Sequence, residues 1–186
     1  GRTFYSSNAG LMELREEVSR KVESQHGISY NAKNEVMITV GGSEAIDLAM
    51  RVILLPGDEV LIPEPCYVSY LPCARMAYGV PVPIPLEEKD EFRLTAEKLE
   101  AAITEKSKLL ILPFPNNPTG SIMEKEDLEA IVPLILKHNL YVLTDEIYAS
   151  LSYKGKHHSI IEIPGMRERT VYINGFSKAY AMTGWR

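Results

Sequence analysis

Residues 108–148 read KLLILPFPNNPTGSIMEKEDLEAIVPLILKHNLYVLTDEIY, and this stretch decides the architecture. Residues 109–112 form a short, wholly apolar run, the pattern of a strand buried on both faces. Residues 115–120 then collect Pro, Asn and Gly, all turn formers. Residues 124–138 return apolar side chains at helical spacing, and residues 140–143 make a second short apolar run that ends in Asp145. Strand, helix and strand in that order predict two parallel strands joined by a crossover helix.

The same alternation continues outward. Further strands are predicted at 36–40, 59–62, 80–84 and 171–173, and further helices at 43–55, 67–77 and 95–103. Ahead of them, residues 10–27 place Leu11, Leu14, Val18 and Val22 at helical spacing among charges and close on a glycine, an amphipathic surface helix. The fold class expected is α/β, a three-layer α/β/α arrangement with a mostly parallel sheet covered on both faces. Such sheets bind ligands beyond the carboxyl ends of their strands.

Composition narrows the function. The 186 residues carry a net charge of −5 with Lys and Arg scattered along the chain, which removes the basic footprint that a nucleic-acid partner needs. No apolar run approaches the ~20 residues that span a bilayer, so no membrane partner is expected. A small molecule is the better partner. Cys66 and Cys73 lie seven apart on one predicted helix, about 10 Å along its axis at 1.5 Å per residue, too far to bridge. They read as reduced thiols, and the expected compartment is cytoplasmic. One domain, or part of one, is expected over 1–186, since no linker-like stretch interrupts it. His157 and His158 have no Cys or carboxylate at ligand spacing, and no metal site is expected.

Four segments follow directly on predicted strands. Gly41-Gly42-Ser43-Glu44-Ala45 opens a helix. Its glycines let the backbone approach closely, and the free N–H groups with the helix dipole favour an anion. It lacks the Gly-x-Gly-x-x-Gly of dinucleotide folds and the Gly-Lys-Ser/Thr ending of a P-loop, which leaves a single phosphate as the anion expected. The others are Pro115-Asn116-Asn117-Pro118-Thr119-Gly120, Leu143-Thr144-Asp145-Glu146-Ile147-Tyr148, and Asn174-Gly175-Phe176-Ser177-Lys178 followed by Met182-Thr183-Gly184-Trp185-Arg186. Singly, these read as a turn, a helix cap and a surface lysine.

In this order and topology, the four segments resemble the class I and II aminotransferases, pyridoxal-phosphate enzymes of fold type I, and the resemblance runs over essentially the whole chain. It implies pyridoxal 5'-phosphate as cofactor. Lys178 would form the Schiff base with it and later act as general base. Asp145 would pair with the pyridine nitrogen and keep it protonated. Asn117 and Tyr148 would hydrogen-bond the ring's phenolic oxygen, and Tyr67 would stack on the ring. The phosphate would lie on the backbone amides of Gly42, Ser43 and Glu44, with Arg186 forking onto two of its oxygens. Many relatives carry a phosphate-binding serine three residues before the lysine, where this chain has Gly175, so Ser177 is the expected source of that hydroxyl. Tyr5 matches a position that reaches the phosphate of a neighbouring subunit, which implies a homodimer.

The activity implied is transfer of an amino group from an L-amino acid to a 2-oxo acid such as 2-oxoglutarate. A carbon–sulfur β-lyase of the same fold, or a non-catalytic aminotransferase-like module of a regulator, are the alternatives. The resemblance also implies that 1–186 is the N-terminal and central part of a large cofactor-binding domain. The rest of that domain, a small domain and the substrate-carboxylate arginine would follow in a longer protein.

Overall fold

A computed structural model describes residues 3–185. The chain divides into two compact units, 1–40 and 41–186.

In the first unit, helix α1 (Met12–His26) ends on Gly27 in the left-handed conformation, φ 69°, whose N–H caps the Glu23 carbonyl at 2.8 Å. Arg15 and Val22 face inward, and an Arg15 Nη1 donates to the Lys33 carbonyl at 3.1 Å. The strand expected over 36–40 does not form. Ile38 N–H is bonded to the Ala9 carbonyl and Met37 and Val40 are exposed, yet no strand lies over the segment among the described residues. Apolar, β-branched residues favour the extended backbone, but a strand is made by a partner's ladder and not by propensity alone.

The second unit holds a five-stranded sheet, all parallel: β1 (Glu59–Glu64), β2 (Val80–Pro85), β3 (Ser107–Leu112), β4 (Tyr141–Asp145) and β5 (Thr170–Ile173) in the order β2-β1-β3-β4-β5. Alternate side chains of each strand go to opposite faces. Leu61, Leu110, Leu112 and Val142 pack with α4 (Ala96–Ala102) and α5 (Lys125–Lys137) through Leu99, Leu128, Ile131 and Ile135. Val60, Ile62, Leu109, Ile111, Leu143 and Ile173 pack with α2 (Gly42–Ile53) and α3 (Tyr70–Met76) through Ile46, Met50, Cys73 and Ala74. Burial on both faces is why the strands read as unbroken apolar runs. The three layers expected from the sequence are present.

At the outer edge, β2 reads Val-Pro-Val-Pro-Ile-Pro. Val80 N–H and, just past the strand, Leu86 N–H bond toward β1, so the alternate positions 81, 83 and 85 point their backbone nitrogens away from the ladder. Proline there costs no ladder bond and leaves the edge without donors.

Helix α3 starts three residues later than its apolar pattern suggests. Beginning at Tyr70 puts Pro72 in the first turn, where the missing N–H has no intrahelical acceptor to lose; a helix from residue 67 would bury that proline in its interior. Cys66 therefore lies in the turn before α3 and only Cys73 on the helix, a correction to the shared helix expected. Both are free thiols.

Candidate functional site

The strand order reverses between β1 and β3, because the chain steps from β1 to β2 on one side and returns to β3, β4 and β5 on the other. Beyond the carboxyl ends of strands at such a reversal, the connections diverge and leave a crevice. An open cavity of about 230 Å³ lies there. Four of the five strand exits supply its wall: Tyr67 and Tyr70 after β1, Pro113, Pro115 and Asn117 after β3, Asp145, Ile147 and Tyr148 at the end of β4, and Ser177, Lys178 and Thr183 after β5. The start of α2 adds Gly42, Ser43 and Ile46. All belong to the second unit.

Gly41, at the N-cap of α2, has φ 83° and ψ 168°, a conformation essentially closed to residues with a Cβ. This turn brings the first turn of a 12-residue helix onto the cavity, and the backbone N–H groups of that turn carry the positive end of the helix dipole. Ser43 Oγ lies 3.2 Å from Tyr67 Oη, and that hydrogen bond holds the Tyr67 phenol below its usual range.

Asp145 is 7% exposed. Burial pushes its carboxyl up from the ordinary range, while hydrogen bonds from Tyr70 Oη at 2.8 Å and Ile147 N–H at 3.2 Å pull the other way by favouring the ionised form. Tyr70, itself buried, has its phenol pushed up, first by burial and then by the Asp145 charge. Tyr67 meets Tyr70 edge to face, with ring centroids 5.7 Å apart and planes at 83°. Across the cavity, Lys178 Nζ sits 5.8 Å from the centroid of the Tyr148 ring.

The loop that carries Asn117 is fastened by its neighbour. Asn116 is buried, accepts from Thr119 N–H and Oγ1 on its side-chain oxygen, and donates from Nδ2 to the Pro65 carbonyl at 3.3 Å. It thereby ties the exits of β1 and β3 together.

Of the residues anticipated from the sequence, the fold brings Gly42, Ser43, Tyr67, Asn117, Asp145, Tyr148, Ser177 and Lys178 around one cavity. Glu44 is exposed and does not line it. Tyr5 belongs to the first unit, with its ring fully exposed. Arg186 lies outside the described residues. Sequence reasoning passed over Tyr70 and Asn116. Tyr70 was findable from its spacing, one helical turn after Tyr67, whereas nothing local distinguishes Asn116 from Asn117.

An amine, a buried carboxylate, an amide side chain, three phenols and a helix N-terminus around one cavity make a donor set that fits pyridoxal 5'-phosphate: an aldehyde for the amine, a ring nitrogen for the carboxylate, a phenolic oxygen for the amide and a phenol, and a phosphate for the helix.

The parallel sheet and its helical layers match aminotransferase fold type I. The family model described as Aminotransferase class I and II matches residues 1–186, and the chain belongs to that family. It is 50% identical over 186 residues to a putative aminotransferase of Bacillus subtilis (strain 168), covering 100% of this chain and 48% of that protein. Identity to an aspartate aminotransferase of Pyrococcus abyssi is 46% over 187 residues, again 100% of this chain and 48% of the relative. Among solved structures, the aromatic aminotransferase of Pyrococcus horikoshii OT3 superposes with a TM-score of 0.96 at 44% identity, over 99% of this chain and 49% of that one. An aspartate aminotransferase from Thermus thermophilus with maleate gives 0.93 at 41% identity, over 99% and 47%. The chain spans about half the length of the curated relatives it matches. No helix of the described residues is long and apolar enough to cross a membrane.

Proposed function

We propose that the protein to which this chain belongs is a pyridoxal-phosphate-dependent aminotransferase, moving an amino group from an L-amino acid to a 2-oxo acid such as 2-oxoglutarate. The observation that carries the reading is the convergence of Lys178, Asp145, Asn117 and Tyr148 on one cavity at the switch point of the sheet. Family membership supports the reaction class, and the names of the relatives support aspartate or aromatic amino acids as donors.

When bound, the cofactor supplies an electron-poor ring that stabilises negative charge at the substrate's α-carbon. Asp145 would hold a proton at the ring nitrogen, since a carboxylate in a desolvated site favours a charged neighbour strongly. Its two existing hydrogen bonds keep it aimed while leaving further lone pairs for that partner. Asn117 and Tyr148 would orient the ring through its phenolic oxygen, and Tyr67 would cover one face. The N–H groups at Gly42, Ser43 and Glu44, with Ser177 and Arg186, would hold the phosphate. Lys178 would anchor the cofactor through Nζ and, once displaced by the substrate amine, carry the α-proton as general base. Tyr5, exposed on this chain, would complete the phosphate site of a second subunit in a homodimer.

Borohydride reduction of the full-length protein, followed by peptide mass mapping, tests the assignment: the cofactor mass is expected on the peptide containing Lys178. Lys178→Ala is expected to abolish turnover while retaining the cofactor non-covalently. Label on another lysine, or near-normal turnover of the variant, would overturn it. Adding single amino acids and following the cofactor spectrum identifies the donor, because only a transaminase leaves the amino group on the cofactor.

A further inference from the structure

Directly behind Asp145, on the other face of the sheet, lies a second buried carboxylate that the proposed chemistry does not use. Glu146 is 1% exposed. Its Oε1 accepts from Ser159 Oγ at 2.6 Å and from Thr144 Oγ1 at 3.0 Å, and its Oε2 lies 2.6 Å from His157 Nε2. Ser159 and Thr144 are buried as well, and the Thr144 hydroxyl also reaches the Leu112 carbonyl at the end of β3. The backbone joins in: Glu146 N–H continues the β4 ladder to Ile173, and the Glu146 carbonyl accepts from Ala149 N–H just after Tyr148. The Glu146 carboxylate thus joins the end of β4 to the segment around 157–159, while its backbone N–H reaches β5 and the Thr144 hydroxyl reaches β3. No group of three or more His, Cys, Asp or Glu among the described residues is arranged to hold a metal.

A buried carboxylate is costly, and packing alone would be served better by an apolar side chain. What it adds is direction. Asp145 and Glu146 are consecutive and point to opposite faces, Asp145 to Tyr70 and the cavity, Glu146 to the helical layer that includes Ile160. Any rotation of the strand end that swung Asp145 off target would have to pull Glu146 out of three hydrogen bonds.

We propose that Glu146, held by His157, Ser159 and Thr144, is a positioning residue that keeps Asp145 aimed into the cavity. This rests on the Asp145 role proposed above. The negative charge of Glu146 also raises the proton affinity of Asp145, which strengthens Asp145 as a partner for a ring N–H.

The test is a double-mutant cycle on the full-length protein, read as the dissociation constant of pyridoxal 5'-phosphate from the cofactor-stripped form by fluorescence titration. Glu146→Gln keeps the volume but removes the charge and one acceptor. It is expected to weaken cofactor binding about tenfold when Asp145 is present, and less than about twofold in the Asp145→Asn background, because loosening an aim matters only if the aimed group is there. A structural role alone would cost the same in both backgrounds, and that result, or no loss with Asp145 present, overturns the proposal. If Asp145→Asn alone leaves the affinity unchanged, the ring-nitrogen role fails and this inference with it. Should Glu146→Gln not fold, Ser159→Ala serves as the milder variant, with about a threefold loss expected and the same dependence on Asp145; equal or absent losses overturn the proposal there too.

Discussion

Tyr70→Phe removes one hydroxyl and nothing else, and its consequence follows from the Asp145 environment. In the structure the buried carboxylate has two donors, the Tyr70 hydroxyl at 2.8 Å and the more distant Ile147 N–H at 3.2 Å. Deleting the shorter one should cost about 1.5–3 kcal/mol, the range for a hydrogen bond to a charged group, with little cavity term because the ring stays. The cost must depend on pH. The Tyr70 bond favours ionised Asp145, so the variant's folded-state carboxyl lies still higher than in the native protein, where burial already raises it. A carboxyl raised on folding binds its proton more tightly in the native state, and stability falls as pH rises through the interval between its unfolded and folded values. The variant, raised further, loses more over that interval. The gap between the two proteins should therefore be widest well above the carboxylate range and shrink as pH falls into it. Urea unfolding of the cofactor-free, full-length protein at about pH 8 and about pH 5 measures the change in that gap. A loss below about 0.5 kcal/mol at the higher pH, or an equal loss at both, would refute the assignment of this bond as the support of an ionised Asp145.

Asp145→Ala should lower turnover by about 10²–10⁴, with Asp145→Glu retaining more, whereas an unstable but fully active alanine variant would reduce Asp145 to a helix cap worth about 1 kcal/mol. Gly41→Ala, forced into φ 83°, should cost about 1–3 kcal/mol in thermal unfolding and weaken phosphate and cofactor binding together; an unchanged melting point would mean that the turn relaxes without strain.

Much of this protein is carried by local pattern. Apolar runs of four to six residues separated by helical periodicity specify parallel strands and crossovers, since burial on both faces leaves no position for alternation. The strand exits are legible for the same reason: a polar residue such as Asp145 or Asn117, within a few positions of the end of an apolar run, emerges at the sheet edge. Residues 36–40 read as a strand by that logic and are not one, because pairing depends on a neighbour that composition cannot supply. The start of α3 moved for a local reason, Pro72, that apolar periodicity ignores.

What only the tertiary structure decided is which distant groups meet. Tyr70 and Asp145 are 75 positions apart, yet their hydrogen bond opposes what burial does to the Asp145 carboxyl. His157, discounted in the sequence for want of a nearby carboxylate, finds one 11 positions back in Glu146. The second pairing arises because the connection from β4 to β5 folds back on its own start, the first because the parallel sheet collects its strand exits along one edge. A side chain's partner there is set by the order of strands in space, which the order of residues along the chain does not express.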